Sequence, residues 1–416
     1  MASRLIFHVD VNSAFLSWES ARRVREGLSD LRPIPAAIGG DRDKRTGIIL
    51  AKSIPAKKFG VKTGEPVSMA LRKCPDLVLA KPDFRLYTRC SKAFLSICRE
   101  YAPVVEQFSI DECFLDMSGT GKIYPDPLAI ADTIRCRIRD ELGFTVNIGI
   151  SSCKVLAKMA SDFEKPDKTH TLFPDQIQEK MWPLPVGDLY SVGASTAQRL
   201  EKGGIKTIGA LAQADLSRVQ HLVGQKLGQQ LHNYANGIDL SPVLSEPEKA
   251  KGYSVSTTLE ESVRMEKEGF SVLLALADSV SSRMRADGVR AYCIAVTIRT
   301  DSFKTRSHQR TLLQATDITR EIYETACELF RELWDGVTPL RLLGLSLTDL
   351  TEEDTAQISL FPDDNRDKAR RLDKTKDDLR NRFGAISIRR GSELNSETQV
   401  GKKYAAQLEE KQQHKS

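Results

Sequence analysis

Near the start of the chain, residues 5–9 form a short apolar run that stops at Asp10. It passes into a helical spacing of apolar positions at Phe15, Trp18 and Ala21. The pattern predicts a buried strand followed by an amphipathic helix. A second strand is expected over 46–51, after the turn-like Gly39-Gly40-Asp41, and a lysine-rich stretch with Pro55 and Gly60 follows over 52–62. Residues 104–108 and 113–116 read as a hairpin with 109–112 at its bend. Another strand, 144–150, leads into a helix over 152–163, for which Ser151 and Ser152 are the expected caps.

The texture changes after Glu164-Lys165-Pro166-Asp167. Residues 184–238 show short helical patterns broken by Gly193, Gly203-Gly204 and Gly224, as in a small helical domain. Residues 239–252 hold two prolines and mixed charge without apolar periodicity, and read as a linker. Beyond it the order is strand (254–259), helix (269–286), two strands (291–299 and 308–313), helix (318–334) and strand (340–347), an α+β arrangement. From Thr351 the chain is polar and charged apart from an apolar island at 358–361, and 392–416 is expected to be disordered. No internal repeat is evident.

A length of 416 residues predicts two to four domains at about 100–200 residues each. The 61 Lys and Arg against 56 Asp and Glu leave a net charge of only +5, so any nucleic-acid contact must come from local clustering. The 8 cysteines are scattered without a CxxC pair, which argues against a zinc ribbon or a disulfide scaffold and suits a reducing, cytoplasmic setting. The N-terminal apolar run is too short for a signal peptide, and no stretch approaches the ~18 apolar residues of a membrane span.

Three carboxylates stand out. Asp10 lies where a strand ends, and Asp111 and Glu112 are adjacent at the predicted hairpin bend. Burying carboxylates is costly without a compensating cation, and three of them converging on strand ends make a hard-oxygen site suited to Mg²⁺. Spacing alone favours a plainer reading, in which the Asp-Glu pair is a solvated turn and Asp10 a cap. The flanking residues reverse those odds. HVDVNSAF (8–15), AKKFGVKTGEP (56–66), FSIDECFLDMSG (108–119) and NIGISSCKVLAKMASDFEKPD (147–167), in this order and spacing, resemble the Y-family DNA polymerases. The resemblance covers roughly residues 4–390.

That resemblance implies an α+β multidomain, right-hand polymerase. Its palm would comprise 1–22 and 78–168, its small fingers 23–77 and its helical thumb 169–238. A linker at 239–252, a little finger at 253–350 and a tail at 351–416 would follow. The implied activity is low-fidelity, template-directed addition of dNTPs to a primer 3′-hydroxyl, with bypass of damaged bases. Asp10, Asp111 and Glu112 would hold two Mg²⁺ ions with the Val11 carbonyl as a further ligand. Phe15 falls at the steric gate that excludes a ribose 2′-hydroxyl, and Lys57 and Lys165 at triphosphate contacts. Ile54 stands where a tyrosine is usual and Lys57 where an arginine is usual. Isoleucine cannot bond a phosphate, and lysine brings a point charge in place of a bidentate fork. Lys52, Lys58 and Lys62 are read as surface or DNA-facing charges.

Residues 188–200 resemble a helix–hairpin–helix that offers backbone N–H groups to a DNA phosphate at Ser191 and Gly193, with Ser191 replacing the usual first glycine. Between 283 and 310 seven basic residues (Arg283, Arg285, Arg290, Arg299, Lys304, Arg306, Arg310) face two aspartates. Arg299, Lys304, Arg306 and Arg310 are the expected phosphate contacts; a charged, solvated sheet edge is the plainer alternative. Gln357, Leu360 and Phe361 resemble a sliding-clamp-binding peptide, and residues 363–390 are read as a short helix set on DNA or on the clamp. The partners implied are primer–template DNA, dNTPs and the clamp, for a monomer without membrane contact. Two other readings share features: an inactive clamp-bound adaptor, which would have lost one of the three carboxylates, and a nucleotide cyclase-like palm, which needs neither hairpin nor basic sheet.

Overall fold

The computed structural model describes residues 4–40, 47–246, 248–352, 364–384 and 387–388. The chain divides into two units, one comprising residues 1–40 and 48–247, the other residues 248–416 with 41–47. Among the described residues no helix is long and apolar enough to cross a membrane.

The first unit is built on a five-stranded sheet in the order Val104–Gln107, Glu112–Asp116, Ile6–Val11, Val146–Ser151, Thr169–Thr171. The first four strands pair antiparallel and the last pair is parallel. Ile6–Val11 is central and buried at every position, which explains its unbroken apolar reading. Phe7, Val9 and Val11 enter a core with Trp18, Phe94 and Ile134. Strand alternation turns Ile6, His8 and Asp10 to the opposite face. That face is covered by helix Lys154–Ser161, against which Ile6 and Phe114 pack through Ala157.

The helix approaches so closely that a Cβ at Gly149 would lie 1.9 Å from the Ala157 carbonyl oxygen, so only glycine fits there. Its capping corrects the sequence reading. The first helical residue is Lys154, and Ser151 Oγ donates to the Leu172 carbonyl instead of capping. The free Val155 N–H is accepted by Asp239 Oδ2 at 3.0 Å, 84 residues downstream. Asp239 itself lies in the stretch read as a linker. There, too, the structure differs: Arg4 donates to the carbonyls of Asp239 and Ser241, Val243 is buried, and Leu244 N–H donates to Glu106 at 2.7 Å. Backbone bonds to charged side chains leave no hydrophobic period, so this docking is silent in the pattern.

A small sheet orders as Ile49–Lys52, Ala36–Gly39, Val78–Ala80. The predicted strand 46–51 therefore begins three residues late, and 41–46 lies outside the described residues. Helices Ala194–Lys202, Ile208–Gln213, Leu216–Val223 and Gln225–Ala235 share a core with Leu200, Ile208, Leu211 and Leu231.

The second unit has a four-stranded antiparallel sheet in the order Thr305–Thr316, Arg290–Thr300, Leu340–Thr351, Gly252–Val263. Helices Glu266–Ala286 and Thr319–Leu333 pack on it through Leu273, Val280 and Phe330. Helix Asp364–Phe383 falls where a short helix was expected, but its charges point home. Lys376 and Arg380 both engage the buried Asp278 carboxylate, Arg366 pairs with Glu321, Arg370 with Asp317, and Arg285 with Asp377. The clamp-peptide residues Gln357, Leu360 and Phe361, and the tail 392–416, lie outside the described residues.

Candidate active site

The register of the central sheet sets Asp10 directly opposite Glu112. Facing residues of an antiparallel pair share a face of the sheet, so the two carboxylates stand side by side at the strand ends. Asp111 precedes Glu112 and is pinned by its main chain, because Val11 N–H donates to the Asp111 carbonyl at 3.0 Å. Ser109 Oγ donates to the Asp111 carboxylate at 2.6 Å. Asp10, Val11, Phe15, Lys52, Asp111 and Glu112 line one cavity of about 250 Å³.

Each outer carboxylate has its own cation. Lys165 Nζ lies 3.0 Å from Asp10 Oδ2 and 2.8 Å from Asp162 Oδ1. Lys158 Nζ lies 2.6 Å from Glu112 Oε2. Burial pushes the Asp10 carboxyl up to about 6; Lys165 opposes the rise and the charge of Glu112 adds to it. Burial acts on Glu112 in the same direction, but hydrogen bonding from His8 and Lys158 overrides it and the carboxyl falls to about 2. Lys158 makes the shorter of the two contacts, and His8 Nε2 stands 3.5 Å from the same oxygen. His8 is fully buried, accepts or donates at Nδ1 with Ser161 Oγ at 2.8 Å, and is held by burial below its ordinary pKa.

Among the described residues no three acidic, histidine or cysteine groups are drawn into a closed ligand cluster. The carboxylates turn to the two lysines instead. The donor set nonetheless fits a hard divalent cation: the cavity lining brings carboxylate oxygens and no sulfur or imidazole, and one of the carboxyls is desolvated enough to hold its proton near pH 6. A cation in the cavity relieves that desolvation.

Three family models match in chain order. Residues 9–162 match the impB/mucB/samB family, 187–239 the DNA polymerase-iota thumb domain, and 250–360 the impB/mucB/samB C-terminal domain. DNA polymerase IV of Clostridium acetobutylicum is 40% identical over 95% of this chain and 99% of its own. DNA polymerase IV 1 of Bacillus subtilis is 38% identical over 95% of this chain and 94% of its own. The chain belongs to the Y-family of DNA polymerases. Its fold agrees: a solved Y-family DNA polymerase chimera of Dbh and Dpo4 superposes with a TM-score of 0.72 at 21% identity, covering 84% of this chain and all of the other.

In this polymerase the remaining predicted residues fall out unevenly. The Phe15 ring is half-buried and stacked on Tyr87, with centroids 4.6 Å apart and planes 14° apart, and so is held in place at the cavity wall. Lys57 is exposed on the short helix Ile54–Lys58 and is not among the cavity-lining residues, nor is the exposed Ile54. Lys52, read as a surface charge, lines the cavity and donates to Thr63 Oγ1 at 3.2 Å. Ser191 takes a left-handed φ of 73°, a conformation that favours the glycine it replaces. Gly193 stands exposed at the N-cap of helix Ala194–Lys202. In the second unit Lys304 and Arg306 are exposed and without an ion pair among the described residues. Arg299 donates to Thr305 Oγ1 at 2.8 Å, and Arg310 is neutralised by Glu328 and Glu332 of a neighbouring helix. Arg285 turns inward, so the basic cluster open to a partner is smaller than the count of seven suggested.

Lys158 escaped the sequence reading as well. The signal was present: Lys154, Lys158 and Ser161 recur at i, i+4 and i+7, one helical face. The structure sets that face against Glu106, Glu112 and His8 respectively.

Proposed function

We propose that Asp10, Asp111 and Glu112, with the Val11 carbonyl, hold two Mg²⁺ ions in the polymerase reaction, in which a primer 3′-hydroxyl displaces pyrophosphate from the α-phosphorus of a dNTP. The observation that carries this is the pairing of Asp10 with Glu112 across the central strands, beside the pinned Asp111, in one cavity with Phe15. Ions bound there supply activation of the attacking hydroxyl and neutralisation of the leaving phosphates.

The chain's own residues do the rest. Asp111 is oriented by Ser109 before any substrate arrives. The Phe15 ring, backed by Tyr87, forms the wall against which a deoxyribose fits and a 2′-hydroxyl clashes. Lys165, held between Asp10 and Asp162, and Lys52 of the cavity lining bring positive charge to a triphosphate, with Lys57, outside that lining, as a further cation. Ser191 and Gly193 offer backbone N–H groups to a DNA phosphate, and Lys304 and Arg306, with Arg299, offer charge to the backbone. Gln357, Leu360 and Phe361 dock a monomeric enzyme on its sliding clamp.

Primer extension by Asp111→Asn and Glu112→Gln proteins tests the reading. Each is expected to lose more than about a hundredfold in rate while binding primer–template within about twofold of wild type by fluorescence anisotropy. Extension at the wild-type rate by either protein would remove the assignment.

A further inference from the structure

The cation that grips Glu112 is itself held from two sides. Lys158 is a flexible lysine on helix Lys154–Ser161, and nothing in its own stem fixes the ammonium on one oxygen. Its Nζ lies 5.4 Å from the centroid of Phe108 and 5.6 Å from that of Tyr190. The two rings stand 6.3 Å apart at 64°, forming a corner that receives the charge on both faces. Each ring is backed in turn, Phe108 by Phe114 at 5.3 Å and Tyr190 by Tyr234 at 6.0 Å. Phe108 belongs to the sheet's own hairpin, two residues before Ile110 and the acidic pair. Tyr190 comes from elsewhere, the turn that leads through Ser191 into helix Ala194–Lys202.

We propose that Tyr190 is a positioning residue for Glu112, acting through Lys158, so that the hairpin turn and the catalytic carboxylate are mechanically joined. The inference rests on the reading of Glu112 as a metal ligand given above. Lys158 engages Oε2 of Glu112, a residue that lines the cavity. Loss of the Tyr190 ring frees the ammonium, and the carboxylate with it. Because Tyr190 adjoins Ser191, displacement of the turn reaches Glu112 through two side chains, without any change in the sheet.

The test is Mn²⁺ binding, followed by electron paramagnetic resonance of free Mn²⁺, to the full chain on a dideoxy-terminated primer–template with the next dNTP present, where no turnover occurs. Tyr190→Leu is expected to weaken Mn²⁺ binding about fivefold, whereas Tyr190→Phe and Tyr190→Trp, which keep an aromatic face, stay within about twofold of wild type. Tyr190→Leu added to Lys158→Met should cost nothing beyond Lys158→Met alone. Primer–template affinity by anisotropy should stay within about twofold throughout. The proposal is overturned if Tyr190→Leu binds Mn²⁺ like wild type, if Tyr190→Phe loses as much as Tyr190→Leu, or if the double substitution is additive. Glu112→Gln separates the two levels. Unchanged Mn²⁺ binding in that protein overturns the metal reading itself, while its loss together with a silent Tyr190→Leu overturns only the positioning role.

Discussion

Asp10 and Glu112 face each other across one strand pair, yet burial wins at one and loses at the other. The difference lies in the partners, His8 and Lys158 for Glu112 against Lys165 for Asp10. Lys158 gives Glu112 a short, undivided contact, whereas Lys165 is shared between Asp10 and Asp162. Glu112, at about 2, stays ionised through the working range, and Asp10, at about 6, does not. A ligand oxygen must lose its proton to bind a metal. Mn²⁺ affinity of the metal-free protein is therefore expected to be flat above pH 7 and to fall below about pH 6, towards tenfold per unit. Titrations at pH 5, 6, 7 and 8 would show this, and an affinity independent of pH over that range would contradict a ligand role for Asp10. At this scale the acidic residues were legible because their flanking motif is distinctive. Lys158, and the pairing of Lys165 with Asp10, were not: a lysine in a polar stretch reads the same whether it faces water or a carboxylate, and only its partner from another strand decides.

Among the elements, helix Asp364–Phe383 shows how a charge pattern can specify packing. Its 8 basic and 5 acidic residues resemble a solvated surface helix. Yet Asp373, Lys376 and Arg380 are the positions it buries, at i, i+3 and i+7, the spacing an apolar stripe would occupy. Hydrophobic periodicity overlooks such a face by construction. Asp278 sits at its centre, 1% exposed, its carboxyl kept below the ordinary range by Lys376 and Arg380 despite burial. Removing that anion strands two buried cations. Asp278→Ala is expected to lower the unfolding free energy by about 3–5 kcal/mol, read by urea denaturation. Adding Lys376→Met and Arg380→Met should restore much of the loss, because the stranded charges are gone. A single substitution costing under about 1 kcal/mol would show that the cluster is solvated. The helix over residues 154–161 carries the same lesson in its cap: Asp239 lies too far along the chain for any local signature to announce it.

For the whole molecule, the strands and helices of the second unit were legible nearly as they are placed. The boundary at 239 was not, because the five or six residues beyond it are held by bonds that leave no pattern. Many of the 61 basic residues are already paired within the fold, with Asp278, Asp317, Glu321 and Glu112 among their partners, so fewer are open to DNA than the count suggests. What remains for DNA is modest, which is why the proposed function gives retention on the template to a clamp. Deleting Gln357-Ile358-Ser359-Leu360-Phe361 is expected to leave extension of a short primer by the enzyme alone within about twofold. The stimulation given by added clamp should disappear. Stimulation that survives the deletion would move the docking site elsewhere.

Lys158 and Lys165 have one more consequence, for the life of the protein before it meets any substrate. Many metal-dependent folds cannot assemble until their ion arrives, because like charges in the site repel one another. This chain carries its own counter-charges into the site as it folds. If the site holds divalent cations as proposed, folding would not wait for them, because the two lysines already meet the charge the ions would neutralise.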